Sequence, residues 1–321
     1  MTTSAPAIHV ADLHKSFGDH AVLQGLSLTV PVGTVYALLG PNGAGKTTAV
    51  RILTTLISGD DGTATVLGHD VGADPEAVRL RIGVTGQFSA IDELLTGREN
   101  LQLMADLNHL PRSRGRARAQ ELLERFDLVG AADRSSATYS GGMKRRLDLA
   151  MTLVSSPDLI FLDEPSTGLD PRSRRELWQI IRELIDEGTT IFLTTQYLEE
   201  ADQLAHTVGV LDGGTLVAEG TPAELKRQVP GGLVEVSYAD PVALTKAAAE
   251  IEGATADLDA LTLSVPHDGS LDSLQQLVGR LDKVAVTGLE VHTPDLDDVF
   301  LALTGHSAEP ADTADNEGEA R

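Results

Sequence analysis

The sequence contains no cysteine in its 321 residues. Without thiols it has neither a disulfide framework nor a thiolate metal site, which fits a reducing compartment. Long apolar runs are missing as well, because no stretch approaches the roughly 18 residues of a membrane-spanning helix. The first residues show no basic region followed by an apolar run, so we expect no signal peptide. If the protein works at a membrane, another chain must supply the spans.

Positive charge is also scarce. Only 25 lysines and arginines stand against 48 aspartates and glutamates, which gives a formal net charge of -23. Binding to nucleic acid requires a basic stripe, so the sequence predicts no nucleic acid partner. A compact phosphate site is still allowed, since such a site needs only a few local donors.

The acidic excess is concentrated toward the C-terminus. Residues 231–321 hold 18 acidic and 4 basic side chains, a net charge of -14. The composition changes beside the linker-like stretch QVPGG,. We therefore predict a large domain over residues 1–228 and a smaller one over 229–305. Residues 306–321 have almost no large apolar side chains and are expected to be disordered,.

Apolar runs alternate with helical patterns through the first domain. This alternation predicts an α/β fold with a parallel core sheet, and ligands bind such sheets at the carboxyl ends of the strands. Four positions follow predicted strand ends and are expected to share one site: Gly40, Gln87, Asp163 and Gln196. In the second domain the order β-α-β-β-α-β predicts a small α+β, ferredoxin-like domain.

Residues 40–47, GPNGAGKT, match the pattern G-x-x-x-x-G-K-[ST] between a predicted strand and a predicted helix,. Its glycines let backbone amides curl around phosphate oxygens, and the helix N-terminus adds partial positive charge. Lys46 can reach the β- and γ-phosphates, and the Thr47 hydroxyl can bind Mg²⁺. The predicted phosphate-binding residues are Gly40, Pro41, Asn42, Gly43, Ala44, Gly45, Lys46, Thr47 and Thr48.

The run DLIFLDEP, residues 158–165, supplies two carboxylates at the end of a buried strand. Asp163 is placed to hold Mg²⁺ through water. The adjacent Glu164 points elsewhere and can polarise an attacking water as a general base.

The stretch YSGGMKRR, residues 139–146, makes the interpretation specific. A Ser-Gly-Gly helix start that precedes the LDEP strand resembles the signature of ATP-binding cassette (ABC) proteins. The similarity covers nearly all of residues 8–225, with motif order and spacing in agreement. It implies a P-loop NTPase cassette with a parallel core sheet, an antiparallel β subdomain and a helical subdomain.

The resemblance also implies roles for individual residues. Phe17 looks like the aromatic residue that stacks on adenine, and Asp170 looks like the D-loop aspartate. Gln87 looks like the glutamine that contacts Mg²⁺ and water and couples the site to a membrane partner. The implied Mg²⁺ ligands are thus Thr47, Gln87 and Asp163.

ABC cassettes pair head to tail, which implies a homodimer around two Mg-ATP molecules. The residues Ser140, Gly141 and Gly142 of one copy then cap the γ-phosphate that Lys46 of the other copy holds. A helix N-terminus with two glycines suits this role, because it is a second anion-binding cap. Binding of ATP closes the dimer, and hydrolysis reopens it.

Several stretches narrow the resemblance to drug-resistance ATP-binding subunits of the daunorubicin/doxorubicin exporter type. They are QFSAIDELLTGRENL, TTQYLEEAD and VHTPDLDDVFLALTG, together with the SGGMKRR form of the signature. This implies an ATPase peripheral on the cytoplasmic face of the cell membrane, working with separate membrane-spanning permease subunits. The alternatives are an importer subunit and an ABC ATPase that acts on ribosomes or DNA.

Gln196 stands where most ABC cassettes place a histidine that contacts the γ-phosphate. Glutamine can donate its amide N–H to a phosphate oxygen, but it cannot change charge near neutral pH. We therefore expect Lys46, Glu164 and Gln196 to carry catalysis, with Glu164 as the group that acts on water.

The role of the second domain stays open between two alternatives. It is either an appendage that packs or stabilises the dimer, or a regulator whose acidic charge tunes closure of the ATP site.

Overall fold

The structure is a computed structural model that describes residues 5–86, 90–228, 232–251, 253–267, 271–281, 285–292 and 295–304. The chain divides into two compact units, one up to Pro222 and one beginning at Ala223. This division lies slightly before residue 228, where the composition changes. The predicted disordered stretch 306–321 lies outside the described residues. Across the described ranges, no helix has both the length and the apolar character to cross a bilayer.

The first unit contains a four-stranded antiparallel sheet. Its strands are β1 (Ile8–Phe17), β2 (His20–Val30), β4 (Asp61–Val66) and β5 (His69–Asp70). They lie in the order β2-β1-β4-β5, and β1 and β2 form a hairpin around Gly18.

A six-stranded sheet forms the centre of the first unit. Its strands are β3 (Val35–Leu39), β6 (Ile82–Thr85), β7 (Leu159–Asp163), β8 (Thr190–Thr195), β9 (Thr207–Asp212) and β10 (Thr215–Gly220). They lie in the order β10-β9-β3-β8-β7-β6, and every neighbouring pair is parallel except β9 with β10. The predicted parallel core is confirmed.

Helices connect and flank these strands. Their bounds are α1 (Lys46–Leu53), α2 (Pro75–Arg79), α3 (Gly97–Leu107), α4 (Arg112–Arg125), α5 (Gly141–Thr152), α6 (Pro171–Asp186) and α7 (Leu198–Leu204). Helices α3 to α5 lie between β6 and β7 in the chain. Helix α3 begins with a capping box, in which Thr96 and Glu99 satisfy each other's backbone N–H groups,.

Three central strands are joined by aromatic side chains on one face. Tyr36 of β3, Phe192 of β8 and Phe161 of β7 are partners in the parallel register. The Tyr36 and Phe192 rings stack with centroids 5.5 Å apart, and the Phe161 ring is 5.6 Å from Phe192. Such aromatic pairs contribute to stability beyond the burial of their apolar area. Aromatic residues are rare in this chain, and these three fix the register of the strands that reach the site.

The second unit is built on its own antiparallel sheet. After α8 (Pro222–Lys226), its elements are β11 (Gly232–Tyr238), α9 (Pro241–Glu250), β12 (Thr255–Asp257), β13 (Thr262–His267), α10 (Leu271–Arg280), β14 (Val286–His292) and α11 (Leu296–Thr304). The strands lie in the order β12-β13-β11-β14. Buried Val234, Val236 and Leu263 contribute to a core of its own.

Helix α7 is joined to α6 through a buried carboxyl group. Glu200 is 0% exposed, and its Oε1 accepts a 3.0 Å hydrogen bond from Trp178 Nε1. Its Oε2 has no partner within hydrogen-bonding geometry among the described residues. Burial raises the pKa of Glu200, opposed by nearby donors that include the Thr195 and Ser166 hydroxyls. A charged carboxylate is therefore unfavourable at this position.

We expect Glu200→Gln to be at least as stable as the wild type at pH 7. The pKa of Glu200 is raised in the folded state. The stability that neutral Glu200 contributes is therefore complete below the pKa of an unfolded glutamate, about 4.3, and is lost as the pH rises through the folded-state pKa. The gain in free energy of unfolding from the substitution should thus grow with pH between about 4 and 7. Urea unfolding across this range measures it. The exposed neighbour Glu199 supplies the matched control, Glu199→Gln, which should show no such trend. If Glu200→Gln instead became less stable relative to the wild type as the pH rises, the raised pKa of Glu200 would be contradicted.

The start of α5 packs closely against the start of α6. A Cβ added at Gly142 would lie 2.9 Å from the Ser173 Cβ and would overlap the Ser173 hydroxyl. A Cβ added at the neighbouring Gly141 would meet nothing within 4 Å. The two glycines of the Ser-Gly-Gly sequence therefore differ in their packing.

We expect Gly142→Ala to lower the free energy of unfolding by about 1–3 kcal/mol through overpacking. Gly141→Ala should be neutral or slightly stabilising, since an open helical glycine gains from substitution by alanine. Urea unfolding of the two variants compares them directly. The double variant Gly142→Ala/Ser173→Gly removes the side chain that the new Cβ would meet. It should therefore be more stable than the sum of the two single changes in free energy of unfolding predicts. Equal stability of the two single variants would show that Ser173 moves aside without cost.

Candidate functional site

At two positions of the Gly-rich loop between β3 and α1, the available space accommodates only glycine. Gly45 caps the N-terminus of α1 with φ 108°, a region that L side chains rarely adopt. A Cβ there would lie 2.8 Å from the Leu23 side chain and 2.9 Å from the Val22 carbonyl oxygen. A Cβ on Gly40 would overlap the Leu211 carbonyl oxygen. The loop backbone is thus held close to β2 and β9.

This loop forms one wall of an open pocket of about 390 Å³. The pocket is lined by Phe17, His20, Val22, Pro41, Asn42, Gly43, Gly45, Lys46, Thr47, Thr48 and Glu164. Phe17 is 51% exposed, so it is not a core aromatic residue. The Nζ of Lys15 lies 5.4 Å from the centre of its ring. The structure therefore brings an exposed aromatic ring and the phosphate-binding pattern to one pocket.

Lys46 carries the buried positive charge of the site. Its side chain is 4% exposed, and its Nζ donates to the carbonyl oxygens of Gly40 at 2.7 Å and Pro41 at 3.1 Å. The same Nζ lies 3.4 Å from Glu164 Oε1. Burial lowers the pKa of Lys46, and Glu164 opposes that shift. Phosphate oxygens are stronger acceptors than carbonyls, so the ammonium is placed to exchange these partners for a phosphate.

Two oxygen ligands meet beside this ammonium group. The Thr47 hydroxyl donates to Asp163 Oδ1 at 3.3 Å, and the Thr194 hydroxyl donates to the same oxygen at 2.5 Å. Mg²⁺ takes oxygen ligands and uses few protein groups when phosphates complete its shell. Among the described residues, no group of three or more His, Cys, Asp or Glu side chains is placed to hold a metal ion. Thr47 and Asp163 fit Mg²⁺, whereas Gln87 lies outside the described residues.

Glu164 follows the end of β7 in an unusual backbone conformation. Its φ is 48°, which costs a non-glycine residue about 1–3 kcal/mol. Its N–H donates to the carbonyl oxygen and to the hydroxyl of Thr194, each at 3.1 Å. Its side chain is 8% exposed and lines the pocket. The turn directs Glu164 toward Lys46, and its role as a general base stays a prediction.

The Ser-Gly-Gly sequence and Asp170 lie at two other helix starts. The Ser140 hydroxyl caps α5 by accepting from the Met143 N–H at 3.3 Å. Asp170 caps α6 by accepting from the N–H groups of Arg172 and Ser173 at 3.0 Å. The Ser173 hydroxyl also donates to Asp170 and, as the largest cause, lowers the pKa of its carboxyl group. The described lining of the pocket includes none of Ser140, Gly141, Gly142 and Asp170.

Gln196 follows the end of β8, next to the Gly-rich loop. The preceding residue, Thr195, accepts a 3.3 Å hydrogen bond from the Gly40 N–H through its backbone oxygen. The Gln196 side chain is half-buried and makes no hydrogen bond to another described residue. Its amide is therefore near the loop but does not line the pocket.

The residues of the site that sequence reasoning missed include Thr194 and His20. Thr194 binds both the Asp163 side chain and the Glu164 backbone, and its only signal was a polar residue in a buried strand. His20 lines the pocket beside Phe17, because the hairpin pairs these two residues.

Comparison with known sequences identifies the family. The ABC transporter family matches residues 23–167. The daunorubicin resistance ATP-binding protein DrrA3 of Streptomyces coeruleorubidus is 50% identical over 303 residues, which cover 93% of this chain and 96% of that protein. The daunorubicin/doxorubicin resistance ATP-binding protein DrrA of Streptomyces peucetius is 47% identical over 323 residues, covering 97% and 96%. The Nod factor export ATP-binding protein I of Paraburkholderia xenovorans is 38% identical over 300 residues, covering 93% and 97%.

Solved structures agree with the fold of the first unit. The ATP-binding subunit of an ABC transporter superposes with a TM-score of 0.62 at 29% identity, covering 69% of this chain and 92% of that chain. An ATP-binding cassette in a dimeric post-hydrolysis state with ADP and Pi gives 0.61 at 23% identity, covering 67% and 98%. The cassette fold predicted from the sequence is thus confirmed. Together with the full-length relatives, the site residues lead to one conclusion: the chain belongs to the ABC transporter family, as an ABC-type ATPase subunit of the drug-resistance ATP-binding group.

Proposed function

We propose that this chain hydrolyses Mg-ATP between two copies of itself and so drives export through separate permease subunits. One observation carries the chemistry: Lys46 and Glu164 meet at 3.4 Å over the Gly-rich loop, next to the Thr47–Asp163 pair. This arrangement combines a cation for phosphate, oxygen ligands for a metal and a carboxylate for water in one pocket.

Each of these residues has a proposed role in the reaction. Phe17 stacks on the base, and the loop amides with Lys46 hold the phosphates. Thr47 and Asp163 would hold Mg²⁺, with Gln87 as a further ligand, and the ion supplies charge neutralisation at the phosphates. Glu164 orients the attacking water and accepts its proton at a carboxylate oxygen.

The signature is proposed to act in trans. Ser140 and Gly141 are exposed and Gly142 is half-buried at a helix start outside the described lining of the pocket. A helix N-terminus attracts anions, so the γ-phosphate in the partner's pocket is a suitable target. Head-to-tail pairing places the signature of each copy at the γ-phosphate bound by the other. Asp170, at the start of α6, lies in the same proposed interface. This proposal includes no nucleic acid partner.

We further propose that the exported substrate is a drug or antibiotic, because two relatives are named for resistance to daunorubicin or doxorubicin. The proposed site of action is the cytoplasmic face of the cell membrane. We propose that residues 229–305, which lie within the second unit, form a ferredoxin-like accessory domain. Its observed strand order and its separate core support that assignment. This assignment is compatible with either role of the domain, regulation of the ATPase or stabilisation of the dimer.

We expect Glu164→Gln to bind ATP, accumulate as an ATP-dependent dimer and lose turnover by about 10²-fold or more, because the general base is gone. Light scattering with ATP and with ADP measures the dimer, and phosphate release measures turnover. The exposed Glu183 on α6 gives the matched control Glu183→Gln, which should behave as the wild type. Hydrolysis by Glu164→Gln at a near-normal rate would remove the base assignment.

We expect Gln196→Ala to lower kcat by about tenfold or more, since it removes one donor to a charged phosphate oxygen. Gln196→His should restore turnover and add an ionisation near pH 6.5 to the pH profile, which the wild type lacks at this position. Gln179→Ala, which removes an exposed amide on α6, is the control. Wild-type turnover in Gln196→Ala would show that this side chain takes no part in the reaction.

A further inference from the structure

Arg145 is a buried arginine on α5 that the proposed chemistry does not use. Its side chain is 12% exposed. Its Nε donates to the Pro165 carbonyl oxygen at 2.7 Å, and its Nη2 donates to the Asp163 carbonyl oxygen at 3.4 Å. Its Nη1 donates to the Gly86 carbonyl oxygen at 3.1 Å. One guanidinium therefore joins α5 to the ends of β7 and β6.

The two carbonyl groups on β7 and its following turn belong to the residues on either side of Glu164. That residue has a strained φ of 48°, and strain of this kind persists only where the surroundings hold the backbone in several ways. Thr194 binds the Glu164 N–H from the β8 side. Arg145 binds the flanking carbonyls from the α5 side. The backbone of Glu164 is thus fixed from two directions.

Asp148 completes this arrangement one helical turn further along α5. It is 3% exposed and pairs with Arg145 Nη1 at 3.3 Å. Its Oδ1 accepts from the Ala90 N–H at 3.2 Å. Burial lowers the pKa of Arg145 and raises that of Asp148. Buried pairs of this kind are poor sources of stability, so the geometry of their contacts is the more informative property.

We propose that Arg145 is a positioning residue for Glu164: it holds the catalytic carboxylate in register with the helix that begins at the Ser-Gly-Gly signature. This inference rests on the proposed function, since it takes Glu164 as the base. It also has a structural consequence for the head-to-tail dimer. The helix that caps the partner's phosphate and the base that acts on the chain's own ATP are joined by the same side chain.

The first test separates positioning from nucleotide binding. We expect Arg145→Ala to lower kcat by about tenfold or more, because small displacements of a catalytic group are costly. The dissociation constant for ATP should stay within about threefold of the wild type, since Arg145 does not line the pocket,. Arg118 also donates to a backbone carbonyl, that of Leu153, and Arg118→Ala is the matched control with turnover near that of the wild type. Unchanged kcat in Arg145→Ala overturns the proposal, and so does a loss of ATP affinity that parallels the loss of kcat.

The second test asks whether Arg145 acts through Glu164. If it does, Arg145→Ala should lower kcat in the wild type but leave the residual turnover of Glu164→Gln unchanged. Multiplicative losses in the double variant would overturn the proposal. Arg145→Lys keeps the charge but cannot reach all three carbonyls, so it should recover turnover only in part; full recovery would show that charge alone matters. Normal hydrolysis in Glu164→Gln alone would instead reject the base assignment, so failures of the two proposals can be told apart.

Discussion

The buried ammonium group of Lys46 is the charge around which the rest of the site is arranged. A buried charge is costly unless it is paired and hydrogen-bonded. Two loop carbonyls and the Glu164 carboxylate supply that pairing within 3.4 Å. The carbonyls belong to a loop that can close only because Gly40 and Gly45 lack a Cβ. The carboxylate belongs to a turn that Thr194 and Arg145 contact from two sides. The phosphate loop and the catalytic strand end are therefore parts of one electrostatic unit.

The contacts that position this unit are made largely to backbone atoms. Thr194 binds the Glu164 N–H, Arg145 binds the carbonyls beside it, and the Thr195 carbonyl binds the Gly40 N–H. Because one partner in each contact is a backbone atom, these contacts fix the position of the main chain itself at the strand end. They also require the strands to be in register first. The stacked ladder of Tyr36, Phe192 and Phe161 provides that register within the core.

The sequence predicted the local parts of this arrangement and not the contacts between distant parts. The strand, glycine loop and helix of residues 35–53 are encoded in adjacent residues, and so is the carboxylate pair at the end of β7. The left-handed turn at Glu164 has no sequence signal, since glutamate has no preference for it. The Arg145 contacts join residues that are far apart in the chain, and an arginine on a helix gives no indication of its partners. The close packing of Gly142 on Ser173 is equally invisible, because the signature already explains that glycine.

Charge distribution adds a constraint on the proposed dimer. Each chain carries a net charge of -23, and like charge opposes close approach over about the Debye length of 8 Å at physiological salt. ATP brings further negative charge, which the buried Lys46 and the helix start after Gly45 offset only locally. Closure of the pair must therefore come from short-range contacts to the phosphates. When hydrolysis removes the γ-phosphate, those contacts are lost while the repulsion remains, so the chain's own acidity favours reopening. In this view the acidic composition does not conflict with nucleotide binding, because it supplies the opposing force in a cycle whose closing force depends on the intact ATP.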